Sequence, residues 1–176
     1  MPVLGGCRAE RARPYWRRGR ALFASASLAF ISIASISPAS AKVRISGLSD
    51  VNFGTISNLT VDAVQAQSVC VYSNGSSQTY SVRFDGSGSG GAFTLANGIT
   101  TLAYNVRWNN QPGQSNGTAL TAGALLGGQA TNAQTQTCSS GLPTTASLIV
   151  TLPATSLSSA TAGTYSGTLT IIVAEE

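Results

Sequence analysis

The groups from which this chain could build reactive chemistry are three cysteines, six carboxylates and no histidine. Without an imidazole, no serine or cysteine can be paired with a histidine base. One carboxylate, Glu10, lies near the start; the others are Asp50, Asp62, Asp85, Glu175 and Glu176. A glycosidase needs two carboxyl groups flanking a cleft. Asp50, Asp62 and Asp85 instead sit in or beside turn signals, where aspartate commonly bonds the backbone. The glycine-rich run 86–91 lacks the Lys-Ser/Thr of a phosphate loop and does not open a helix. Two cysteines without histidine cannot complete a tetrahedral metal shell. The expectation is a chain that is not an enzyme and holds no cofactor.

The first 41 residues read as an address. Six arginines (Arg8, Arg11, Arg13, Arg17, Arg18, Arg20) precede an uncharged run from Ala21 to Ile36, then Pro38 and Ala39-Ser40-Ala41. A basic region, an apolar region and an A-x-A site in that order make a secretory signal peptide, with cleavage after Ala41. The run holds 16 residues with four serines, short of the roughly 20 apolar residues of a membrane span. The chain therefore meets the membrane only during export. Residues 42–176 remain as one domain of ordinary size.

Removing residues 1–41 changes the charge. The whole chain carries +4, but residues 42–176 hold Lys42, Arg44, Arg83 and Arg107 against five carboxylates, a net charge of −1. No basic patch remains to neutralise phosphates, which argues against nucleic acid as a partner. Cys7 leaves with the presequence. Cys70 and Cys138 in an oxidising compartment most simply form one disulfide; two buried free thiols are the alternative.

What positions these groups is a series of short strands. Side chains alternate between faces along a strand. Residues 42–46, 51–56, 63–73, 78–84, 92–96, 100–108 and 144–152 show that alternation. In 100–108, Leu102, Tyr104, Val106 and Trp108 share one face. Tyr104 and Trp108 read either as core aromatics or as a sugar-binding face. Asn74-Gly75 and Asn97-Gly98 are hairpin signals. From Gly163 on, Tyr165, Gly167, Leu169, Ile171 and Val173 share a face opposite Thr164, Ser166, Thr168 and Thr170. No sustained helical stripe occurs after residue 41, and frequent turns between short strands indicate an all-β sandwich.

Four stretches in order resemble the spore coat protein U family, which includes pilins of archaic chaperone–usher pili. They are Asp50-Val51-Asn52-Phe53-Gly54, Ser68-Val69-Cys70-Val71 with Thr79-Tyr80-Ser81-Val82, Leu102-Ala103-Tyr104-Asn105-Val106, and Ala162-Gly163-Thr164-Tyr165-Ser166-Gly167-Thr168-Leu169-Thr170. Gly167 stands where the family pattern has aspartate. The resemblance spans most of residues 42–174.

It implies an incomplete immunoglobulin-like β-sandwich, pilin-like, completed by a donated strand. Tyr165, Leu169, Ile171 and Val173 would form one wall of the donor-strand groove, and an N-terminal strand with Val51 and Phe53 the other. Val43 and Ile45 form a candidate donor segment. Only Lys42–Ser49 precedes the first motif, which points to a minor or terminal subunit. The implied partners are a periplasmic chaperone, an outer-membrane usher and neighbouring subunits. The implied location is the periplasm during assembly, then the cell surface or an extracellular fibre. A self-contained, carbohydrate-binding β-sandwich adhesin is the alternative.

Overall fold

The computed structural model describes residues 42–176, and the signal-peptide reading of residues 1–41 lies outside the described residues. Ten strands follow one another: β1 (Val43–Ser46), β2 (Ala63–Ser73), β3 (Thr79–Gly86), β4 (Thr94–Asn97), β5 (Thr100–Ala103), β6 (Asn105–Asn109), β7 (Thr118–Ala119), β8 (Leu125–Ala130), β9 (Ala146–Leu152) and β10 (Leu169–Glu175). One short helix, α1 (Ala154–Ser159), links β9 to the last strand. The strands form a five-stranded sheet in the order β1-β2-β9-β6-β7, a three-stranded sheet in the order β10-β3-β8, and a β4-β5 hairpin. Every pairing is antiparallel. Neither sheet closes on itself, so the fold is an open, immunoglobulin-like β-sandwich.

Alternation in the sequence becomes the core. Val69 and Val71 of β2, Val106 and Trp108 of β6, and Ala146, Leu148, Val150 and Leu152 of β9 face Tyr80, Val82 and Phe84 of β3. Trp108 lies edge-on to Tyr80, with ring centroids 6.5 Å apart, and is tilted against Phe84 at 5.6 Å. Burying such rings supplies much of what holds two sheets together.

The outer face of the five-stranded sheet is covered too. Cys70, on the opposite face of β2 from Val69 and Val71, is bonded to Cys138, with Cα atoms 5.9 Å apart across 68 residues of chain. This disulfide pins the segment after β8 over β2, where Ala133 and Cys138 are buried beside Tyr72. Just before β9 begins, the Thr145 hydroxyl extends its ladder: it accepts from Val71 N at 2.9 Å and donates to Val71 O at 3.1 Å. The 109–117 loop covers the outer face of β9. Ser147 Oγ donates to Gln111 O at 2.8 Å and accepts from Gln114 N at 3.0 Å.

Several expectations change. Residues 51–56 are not a strand, because Asn52 Oδ1 accepts from Gly54 N at 2.7 Å and Gly54 takes φ 62°. That turn around Phe53 breaks the extended run. Asn74-Gly75 does not close a hairpin: β2 and β3 lie in different sheets, and residues 74–78 cross between them. Asn97-Gly98 does close one, with Asn97 opposite Thr100. The run 100–108 divides at Tyr104, whose N–H turns to Phe93 O at 2.9 Å. Before that point β5 pairs with β4; after it β6 joins the five-stranded sheet.

Candidate functional site: the open edge between β1 and β10

β10 is a strand because its residues alternate. Leu169, Ile171 and Val173 point inward and pack on the core, while Thr170, Ile172 and Ala174 point out. It pairs with β3 along its whole length, from Leu169 opposite Gly86 to Glu175 opposite Tyr80. Its other edge carries no strand: β10 ends the three-stranded sheet, as β1 ends the five-stranded one. Cα atoms of the two strands approach within 8 Å, yet no ladder joins them. The sandwich is therefore unsealed along β1 and β10.

Burial shows the same gap. Tyr80 and Val82, in the centre of the short sheet, are fully buried. Val43 and Ile45 of β1 and Leu169, Ile171 and Val173 of β10 face the same core but remain only partly covered. Phe53 and Ile56 pack against this core from the irregular segment after β1. Unpaired backbone beside apolar side chains is an edge that another strand can extend.

The residues expected at this site do not all meet there. Leu169, Ile171 and Val173 lie together on β10. Tyr165 lies outside the strand, which begins four residues later than its alternation suggests. Ser166 instead bridges to Ala96 of β4, and Gly167 passes so close to Thr94 and Leu95 that a Cβ there would lie 2.8 Å from Ser87 Oγ. Gly167, having no Cβ, permits that approach. The Tyr165 hydroxyl lies 3.5 Å from Thr100 Oγ1, lies 3.0 Å from Thr161 Oγ1 and donates to Thr161 O at 3.1 Å. Its bonds to Thr100 and then Thr161 hold the phenol below its ordinary range. Val51 is exposed, whereas Phe53 reaches the core. Val43 and Ile45 are paired with β2, opposite Ser73 and Val71.

Among the inward residues of β1 and β10 the one charged side chain is Glu175, at the very end of β10. Among the described residues the one ion pair, Arg83 to Asp85 at 3.0 Å, sits on the outer side of β3. Asp62 Oδ1 accepts from Ala154 N at 2.8 Å. Tyr104 and Trp108 offer no stacking platform for a sugar. Both are buried, Tyr104 stacked on Phe93 at 5.6 Å. Burial pushes the Tyr104 phenol up from its ordinary value. What this arrangement can do is accept an extended backbone along β10 and apolar side chains against Leu169, Ile171 and Val173.

The fold and the edge define an open β-sandwich domain. No protein-family profile matches the sequence, and no curated protein matches it. Among solved structures, the chain is similar to a chaperone–tip adhesin complex of CFA/I fimbriae biogenesis, with TM-score 0.48 and 16% identity over 77% of this chain and 41% of the other. It is also similar to the CsuC–CsuE chaperone–tip adhesion subunit pre-assembly complex from archaic chaperone–usher Csu pili of Acinetobacter baumannii. There the TM-score is 0.41 and the identity 21%, over 76% and 39% of the two chains. The chain spans about two fifths of the length of these structures' chains.

Proposed function

We propose that this chain is an exported, non-enzymatic structural subunit of a chaperone–usher-type surface pilus, and that a donated strand completes its sandwich. The observation that carries this reading is the unpaired edge of β10, with Leu169, Ile171 and Val173 partly covered opposite β1. A strand laid there adds backbone hydrogen bonds and fills the core with alternate side chains. Each large apolar side chain it buries is worth about 1.5–3 kcal/mol before ordering costs. A small domain is stable by only about 5–15 kcal/mol, so sealing this seam changes its stability substantially. A periplasmic chaperone would supply the strand first and a neighbouring subunit later, with an outer-membrane usher at the exit. Export is completed by cleavage after Ala41.

The seam must widen to admit a strand. Paired strands lie about 4.8 Å apart, so a strand bonded to both β1 and β10 needs about 9.6 Å between them. The two strands approach more closely than that. The pairing of β1 with β2 also favours a subunit that accepts rather than donates. Val43 and Ile45 could act in a neighbour only by leaving their own sheet.

The test compares melting of the exported chain alone with the same chain carrying a seven-residue alternating apolar strand fused after a flexible linker. Seven residues match the length of β10. A large rise in melting temperature is the expected result. Equal melting of the two as monomers would show a self-contained sandwich and end this reading.

A further inference from the structure

The opposite side of the sandwich, where β7 and β8 end the two sheets, carries a second feature. A cleft of about 420 Å³ opens between the end of β6, the loop after it, β7 and Gln129 of β8. That is within the roughly 300–1,000 Å³ of small-molecule sites. Its lining contains no charged side chain, and Trp108, its one aromatic, is 1% exposed. The chemistry it offers is that of primary amides.

Some of these amides are spent on holding the loop. Asn109 Nδ2 donates to Asn116 O at 2.9 Å, and Asn109 Oδ1 accepts from Gln111 N at 2.9 Å. Asn116 Oδ1 accepts from Arg107 and from Gly117 N. Gly117 is required here, because a Cβ on it would fall 2.3 Å from Trp108 O. Other groups are not engaged. Among the described residues, the whole Asn110 amide, Asn116 Nδ2, Gln114 Oε1, Gln129 Oε1 and the Thr118 hydroxyl make no hydrogen bond within the protein and are open to solvent.

We propose that this cleft binds a neutral polyhydroxylated ligand, one or two sugar units. A sugar hydroxyl both donates and accepts, and a primary amide offers a donor and an acceptor from one planar group. An ionic ligand would find no charged side chain in the lining, since the nearby Arg107 is already engaged by Asn116, and an apolar one no apolar wall. A peptide strand would need a regular edge, but β7 has two residues and β8 is bulged between its Tyr80 and Val82 pairings. The site does not depend on strand donation, because it lies at the other pair of sheet edges.

The test follows the side-chain NH₂ resonances of the exported, isotope-labelled chain by NMR. Galactose, mannose, N-acetylglucosamine and maltose are titrated singly to about 20 mM, since an open cleft with a few hydrogen bonds binds in the millimolar range. One sugar should shift the Asn110, Asn116 and Gln129 signals saturably. The Asn110→Ala/Gln129→Ala variant should bind it at least about tenfold more weakly with an unchanged melting temperature. Absence of any saturable shift, equal binding by the variant, or shifts mapping elsewhere would overturn the proposal. So would triglycine moving these signals when no sugar does.

Discussion

Trp108 Nε1 donates a hydrogen bond of 3.3 Å to the Tyr80 hydroxyl, joining β6 of one sheet to β3 of the other through the buried core. Burial raises the Tyr80 phenol from 10.0 to about 12, opposed in part by the bond from Trp108. The folded chain thus holds this proton at a pH where the unfolded chain has released it. Stability from the neutral phenol is complete below pH 10.0 and is lost as pH rises toward about 12. Tyr80→Phe should flatten that part of the profile. At neutral pH it should cost about 1–3 kcal/mol, because the indole N–H is left without its partner. Urea midpoints of both proteins across this range provide the measurement.

The Cys70–Cys138 bond closes a long loop. On the chain-entropy model, a loop of this length contributes about 4 kcal/mol. Cys138→Ser should lower stability by an amount of that order and release the 131–145 segment from β2. Hydrogen exchange at Ala133, whose N–H is held by the Thr131 hydroxyl, should rise in the variant. Unchanged exchange there would show that the hydrogen bonds of Thr131 and Thr145 hold the segment unaided.

Two adjacent isoleucines on β10 separate the seam from the surface. Ile171 points inward beside the open edge, while Ile172 points out and is 43% exposed. Ile171→Asp places a charge where a donated strand would desolvate it and should abolish the stabilisation by a fused strand. Ile172→Asp should leave that stabilisation nearly intact. Equal tolerance of both changes would be incompatible with strand insertion at this edge.

Pro153 precedes helix α1 at the capping position and has no side-chain oxygen to cap it. Asp62, 92 residues earlier in the chain, supplies the acceptor for Ala154 N. Asp62→Ala should cost about 1 kcal/mol, and Asp62→Asn should recover most of it. Denaturant unfolding of the three proteins at neutral pH distinguishes these outcomes.

Alternation reports which way a side chain faces, and where one strand runs unbroken it is enough. It places Val106 and Trp108 inward on β6 and Leu169, Ile171 and Val173 inward on β10. It does not report the neighbouring strand. Leu102 and Trp108 fit one strand by pattern, yet the chain changes partners at Tyr104 because a backbone bond to Phe93 intervenes. Val51 and Phe53 alternate as well, but the Asn52 side chain bonds Gly54 and bends them out of line. The burial of Ser147 and Ile149 on the outer face of β9 has no local signal. The Asn/Gln-rich loop that covers Ser147 lies some 30 residues upstream.

The pairing of β10 with β3 also fixes an order of events. Of the described strands β10 is last in the chain, and β3 must wait for it while residues 87–168 follow. An exported chain enters the folding compartment N-terminus first, so β3 arrives ahead of β10, and a local hairpin needs only about 1–10 μs to form. For that interval the backbone of Tyr80–Gly86 is open on the side that β10 will occupy. The vulnerable moment for this chain comes before β10 has paired, at an edge that the finished fold no longer shows. A protector acting only on the completed seam would arrive too late to prevent mispairing at β3.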